Sequence, residues 1–129
     1  MADTDGVPDE RLVYRGLRNR SWAKSGKITW KAYMLRAATT NYPMEEDASV
    51  GLSKASAVDE LDEHFGWAEV LTWNIHSLLH SLIVRFDEGS DQKAGIYGLP
   101  LHSTDPEQID LAVSMATDLA EISKYLPPD

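Results

Sequence analysis

The sequence predicts an α+β domain, with one mainly antiparallel or mixed sheet of five to six strands packed against a long C-terminal helix and one shorter helix. Short segments rich in strand formers alternate apolar and polar residues before residue 100. An apolar stripe with helical spacing follows over 107–126. The 43% hydrophobic and 26% charged residues are typical of a globular chain. We therefore expect a single domain over 11–126, between an acidic disordered tail (1–10) and a short tail (127–129).

The first third of the domain reads as two strands joined by a turn. Residues 12–17 are rich in strand formers, and Ser25-Gly26 marks a turn before a second strand over 27–35. In that second strand alternate residues share the inner face of the sheet, and they are Ile28, Trp30, Ala32 and Met34.

The middle of the chain mixes strands with the shorter helix. Residues 37–47 combine turn formers and acids and predict a surface loop. Ser56 stands three residues ahead of Asp59, a spacing that caps a helix, so we expect one over 57–65, closed by Gly66. Strands are predicted over 49–53, 67–73, 82–86 and 94–99, with 74–80 open between helix and strand.

The C-terminal helix has the clearest local signal. Asp105 precedes Pro106, which places a capping side chain before a proline in the first helical turn. Small Ala116 and Ala120 permit close packing on a sheet, and Pro127 stops the helix. The apolar stripe consists of Leu111, Ala112, Met115, Leu119, Ile122 and Leu126.

Charge and composition narrow the classes of partner. A net charge of -9 disfavours nucleic acid, whereas the basic residues concentrated over 11–36 could form one positive face that suits a protein partner or an anionic small ligand. The chain has no cysteine, and its acidic start differs from a secretory signal, so we expect a cytoplasmic location and no membrane association. The sequence predicts no cofactor and leaves the oligomeric state open.

The motifs of several enzyme classes are missing from the sequence. It has no phosphate-binding Gly-rich loop, no G-x-S-x-G elbow and no H-E-x-x-H pair. His76 and His80 are four residues apart, a spacing that could place two imidazoles on one metal ion. The more economical interpretation puts both at the boundary between core and water, so no metal is predicted.

Two features suggest a surface for protein contacts. Trp22 lies in a polar stretch and is a candidate interface anchor. Four acids cover one side of the predicted shorter helix and could dock a basic surface, or simply form a solvated face favoured near a helix N-terminus. These are Asp59, Glu60, Asp62 and Glu63.

Three short segments place an arginine, a serine and a glutamate in that order along the chain. They are Tyr14-Arg15-Gly16, then Leu52-Ser53-Lys54-Ala55-Ser56, then Phe86-Asp87-Glu88. This order resembles that of the arginine-type ADP-ribosyltransferases. The resemblance implies that Arg15 would hold the phosphates of NAD, Ser53 would brace the site, and Glu88 would stabilise an oxocarbenium-like centre. The family's Ser-Thr-Ser string is absent, and no Glu-x-Glu or Gln-x-Glu accompanies Glu88. Otherwise Arg15 is a sheet-edge cation, Ser53 a turn residue and Glu88 part of a solvated loop.

A larger part of the chain resembles a group of small uncharacterised bacterial proteins. The similarity runs through Trp22, Gly26-Lys27-Ile28-Thr29, Gly51-Leu52-Ser53 and Ile96-Tyr97-Gly98-Leu99-Pro100. It implies a bacterial cytosolic protein and transfers no catalytic residue. Together these observations favour a non-catalytic interaction or regulatory subunit of a bacterial system, including defence-type systems, over a small NAD-binding or transferase-like enzyme.

Overall fold

The computed structural model describes residues 6–57 and 64–128, and it contains the predicted α+β architecture. Six strands form one antiparallel sheet: β1 (Leu12–Gly16), β4 (Ala48–Gly51), β5 (Trp67–Leu71), β6 (Ile83–Phe86), β7 (Lys93–Tyr97) and β8 (Lys124–Leu126). Their spatial order is β6-β7-β4-β1-β5-β8. A separate hairpin pairs β2 (Ala23–Lys24) with β3 (Lys27–Ile28). The helices are α1 (Thr72–His76) and α2 (Pro106–Glu121).

One face of the sheet carries the core. Register pairs Val13 with Val70 and Val84 with Ile96, and all four side chains are buried. They belong to one apolar cluster with Met115, Ala116 and Leu119 of α2. Met115 and Leu119 of the predicted stripe, together with the small Ala116, therefore lie in the core that the long helix shares with the sheet.

The predicted N-terminal cap of α2 is confirmed, whereas the predicted C-terminal end of the helix is wrong. The Asp105 side chain accepts a hydrogen bond from the Glu107 amide at 3.0 Å, with Pro106 in the first turn. The helix stops at Glu121 rather than 126, and β8 then pairs with β5, Ala68 lying opposite Tyr125. The exposed Leu111 was wrongly assigned to the buried stripe.

The predicted strand over 27–35 is wrong beyond Ile28. A 3-10 helix, Trp30–Tyr33, replaces it and buries Ala32 and Tyr33. Because a 3-10 helix repeats every three residues and not every two, Trp30 turns away from the core and is 38% exposed.

Most of the predicted 57–65 helix lies outside the described residues. At its ends, Ala57 closes a 3-10 turn, Ala55–Ala57, and residues 64–65 form no helix, so α1 is the shorter α-helix among the described residues. Residues 6–10 do not behave as a disordered tail, since Val7 is 3% exposed and its amide donates to the Val84 carbonyl at 2.9 Å. Residues 1–5 lie outside the described part of the chain.

Candidate interaction groove

Arg15 is a buried cation that joins three parts of the fold. The side chain is 1% exposed on the core face of β1. Its Nε–H donates to the Ala32 carbonyl, and Nη1 donates to the Ser49 carbonyl at 2.7 Å. The guanidinium carbon also lies 5.1 Å from the ring centre of Trp22 and 5.9 Å from that of Tyr33.

Burial lowers the pKa of Arg15, while the coulombic effects of Tyr33, Glu45 and Asp47 oppose that shift. Both bonded carbonyls belong to the protein itself, one in β4 and one in the 3-10 helix. The guanidinium therefore connects structural elements and is enclosed where a dinucleotide phosphate would have to reach it.

The other two residues of the transferase-like set have local roles. The Ser53 amide donates to Ser56 Oγ at 3.0 Å and the Ser56 amide donates back to Ser53 Oγ at 3.1 Å. The antiparallel register of Tyr14 with Gly51 carries the chain away from Arg15 as it runs to Ser53. Glu88 is exposed in the turn between β6 and β7.

His76 and His80 each bind a different aspartate. The Val84 amide donates to His76 Nε2 at 3.1 Å, which leaves Nδ1 to donate to Asp9 at 2.6 Å. His80 Nε2 lies 2.6 Å from Asp118 Oδ2 on α2. Both ring nitrogens of His76 therefore have hydrogen-bond partners, and the residue links Asp9 of the N-terminal segment (6–10) to β6.

Of the candidate interface residues, the structure describes Trp22 alone. Trp22 is half-buried, packs against the core, and has its ring centre 5.1 Å from the Arg15 guanidinium carbon. Asp59, Glu60, Asp62 and Glu63 lie outside the described residues.

A groove of about 1050 Å³ is lined by the β2–β3 hairpin, α2 and β8. We call it the lysine groove, because four exposed lysines line it: Lys24, Lys27, Lys31 and Lys124. Among the described residues, none of the four forms an ion pair with a carboxylate. Exposed Trp30 and half-buried Tyr125 add aromatic surface to the walls, and Glu121 contributes the one carboxylate among the described residues of the lining.

Local geometry explains why the hairpin presents its lysines. Ser25 and Gly26 have φ of 55° and 77°, the left-handed pair that a tight two-residue hairpin turn requires. This turn sets Lys24 opposite Lys27. At the base of the hairpin, the Thr29 hydroxyl donates to the Ser21 carbonyl at 2.7 Å. This hydrogen bond closes the loop that leads into the 3-10 helix at Trp30.

The lysine groove also depends on contacts beneath it. The hydroxyls of Tyr33 and Ser123 are 2.6 Å apart and link the 3-10 helix to the segment between α2 and β8. Three of the lysines belong to the basic first third of the sequence, which could form one positive face. The contribution of Lys124 could not be predicted, because the sequence pattern extends the helix through this residue.

The described residues show neither a membrane-crossing helix nor a cluster of ligands for a metal. No helix in 6–57 or 64–128 combines the length and apolar character that a bilayer span needs. Over the same residues, no three His, Asp or Glu side chains converge as a metal site would require. Comparison of the chain with models of protein families, with curated proteins and with solved structures finds no match.

Proposed function

We propose that this chain is a non-catalytic protein-interaction domain that docks its partner in the lysine groove. The observation that carries the proposal is the gathering of four exposed lysines, none of them in an ion pair with a described carboxylate, around an exposed tryptophan in a chain of net charge -9. Tryptophan is enriched among the residues that dominate binding energy at protein interfaces. The resemblance to small bacterial proteins adds the expectation that the partner belongs to a bacterial cytosolic system.

The contacts of the catalytic candidates support a binding role. Arg15 is enclosed by carbonyls and rings, and Ser53 caps a turn. A nucleophile or an anion-binding group must reach its substrate. The exposed cations of the groove remain available for a ligand.

The overall charge favours a protein over nucleic acid. A chain with 21 acidic and 12 basic residues repels a phosphate backbone over a Debye length of about 8 Å. A protein segment, unlike a phosphate backbone, can carry its charged residues only where it contacts the groove. The acidic remainder of the molecule then favours one orientation of encounter.

Selection from a library of random displayed peptides tests the proposal. The double variant Lys24→Glu with Lys27→Glu keeps like charges opposite each other in the hairpin but reverses their sign. We expect selected peptides to bind this variant at least about tenfold more weakly than wild type. Lys93→Glu is the matched control, since Lys93 is an exposed strand residue away from the groove.

Two results would contradict the proposal. One is a selection in which no peptide depends on the groove lysines. The other is turnover of NAD by the purified wild-type protein, which would favour the transferase-like alternative.

A further inference from the structure

Resting on the proposed function, we infer that the partner segment in the lysine groove is acidic and carries one aromatic side chain that packs on Trp30. The first part of the inference comes from the polar groups that the groove offers. The second comes from the way Trp30 is held.

Among the described residues of the groove, the charged side-chain groups without a hydrogen bond are the four ammonium groups and the Glu121 carboxylate. The Thr29 hydroxyl donates to the Ser21 carbonyl. The Ser123 hydroxyl is hydrogen-bonded to the Tyr33 hydroxyl and to the Leu119 carbonyl. The Thr117 hydroxyl donates to Val113 within α2 at 2.7 Å. The remaining charged groups are four exposed cations and one carboxylate, an excess of positive charge that suits a ligand with carboxylates and gives little of the fixed donor pattern that reads nucleic-acid bases.

The lysines are distributed and do not converge on one point. Lys24 and Lys27 lie on the hairpin, Lys31 on the 3-10 helix, and Lys124 on β8 across the groove. One exposed ion pair changes an affinity by no more than about fivefold, so useful affinity requires several pairs at once. The volume of about 1050 Å³ also exceeds the need of a single small anion. A segment with several carboxylates meets both conditions.

Trp30 is a rigid apolar platform within this charged lining. Its neighbours Ala32 and Tyr33 are buried, which fixes the short helix that carries it. The Lys31 ammonium lies 5.8 Å from the ring centre of Trp30. An aromatic side chain can pack on the exposed part of the indole with little loss of conformational entropy in the protein.

The test compares two labelled synthetic peptides that differ only in charge. The first carries several Asp and Glu residues around one Phe, and the second carries Asn and Gln in their place. By fluorescence anisotropy we expect the acidic peptide to bind at least about tenfold more tightly, and its affinity to fall between about 50 and about 300 mM salt. The Lys24→Glu, Lys27→Glu variant should lose this preference and Lys93→Glu should keep it.

A double-mutant cycle tests the stacking partner. Trp30→Ala should weaken the Phe-containing acidic peptide by about three- to tenfold, and should have little effect on the same peptide with Ala in place of Phe. Equal effects on both peptides would overturn the assignment of Trp30. Circular dichroism of each variant verifies that it remains folded.

The outcomes separate this inference from the proposed function. If library peptides bind through the groove but the acidic and amide peptides bind equally, the acidic partner is wrong and the interaction role stands. If no peptide depends on the groove, both fail. Displacement of the acidic peptide by a single-stranded DNA oligonucleotide at lower concentration than unlabelled acidic peptide would overturn the inference in favour of nucleic acid.

Discussion

Arg15 shows how the fold buries a cation on carbonyl dipoles and aromatic rings. Two carbonyl oxygens accept its hydrogen bonds, and the rings of Trp22 and Tyr33 lie within 6 Å of its guanidinium carbon. A delocalised guanidinium is more weakly hydrated than an ammonium, and its planar fork can serve two acceptors at once. Arg15 thereby connects the sheet to the 3-10 helix that carries Trp30.

Replacing Arg15 by lysine should be costly although the charge is kept. A single ammonium cannot reproduce the two-armed contact, so a buried carbonyl of Ala32 or Ser49 loses its donor. We expect the free energy of unfolding to fall by about 2–4 kcal/mol, measured by urea denaturation.

Arg18→Lys is the control for that experiment. Arg18 is exposed and donates to Ser49 Oγ at 3.2 Å, so its replacement should change stability by less than about 0.5 kcal/mol. Similar losses in the two variants would show that the buried contacts of Arg15 are not needed for stability.

At the scale of elements, β8 depends on a glycine at the start of the neighbouring strand. Gly66 has φ of 112° and precedes β5 directly. A Cβ at this position would collide with the Leu126 carbonyl of β8. The close approach of the two strands therefore needs a residue without a side chain.

Substitution of two glycines separates backbone strain from crowding. Gly66→Ala should lower the free energy of unfolding by about 3 kcal/mol or more, because it adds a collision to a disfavoured φ. Gly89 also has a positive φ, 74°, but open space around it, so Gly89→Ala should cost only about 1 kcal/mol. Thermal or urea unfolding measures both variants. Equal losses of stability would mean that β8 can move away from a Cβ at position 66 without a measurable loss of free energy.

Sequence patterns predicted those elements whose signals are local. The Asp105-Pro106 cap and the Ser25-Gly26 turn are set by neighbouring residues, and both are present in the structure. The end of α2 is different, because the segment 124–126 has helical spacing but gains hydrogen bonds by pairing with β5. Trp30 was assigned to the core for a related reason, since alternation cannot reveal a change from strand to 3-10 helix. The lysine groove is invisible in sequence because its walls come from residues about 90 positions apart.

At the scale of the whole molecule, the N-terminal segment contributes to the core and covers a sheet edge. Gly6 forms a bridge with Arg85 of β6, and Val7 is buried beside that strand. The hydrogen bond from His76 to Asp9 fastens the segment to α1, and the Asp9 carbonyl accepts from the Trp73 amide at 2.9 Å. Edge strands with unpaired backbone groups invite association, so this segment also shields β6.

Removing the His76 ring should loosen this segment selectively. His76→Ala deprives Asp9 and the Val84 amide of their partners, so we expect the Val7 amide to exchange with deuterium at least about tenfold faster. Hydrogen exchange followed by NMR measures this, with the amides of α2 as internal reference. His80→Ala, which breaks the pair with Asp118, is the control and should leave the Val7 amide unchanged. Uniform acceleration throughout the molecule would indicate a global loss of stability and contradict a local role.

The position of Lys124 on β8 determines how early in translation the lysine groove can form. This residue lies on β8, the final described strand, and β8 completes the sheet by pairing with β5, which is translated more than fifty residues earlier. The far wall of the groove therefore cannot form until this stretch has emerged from the ribosome. A nascent chain that still lacks residues 124–126 therefore has an incomplete lysine groove.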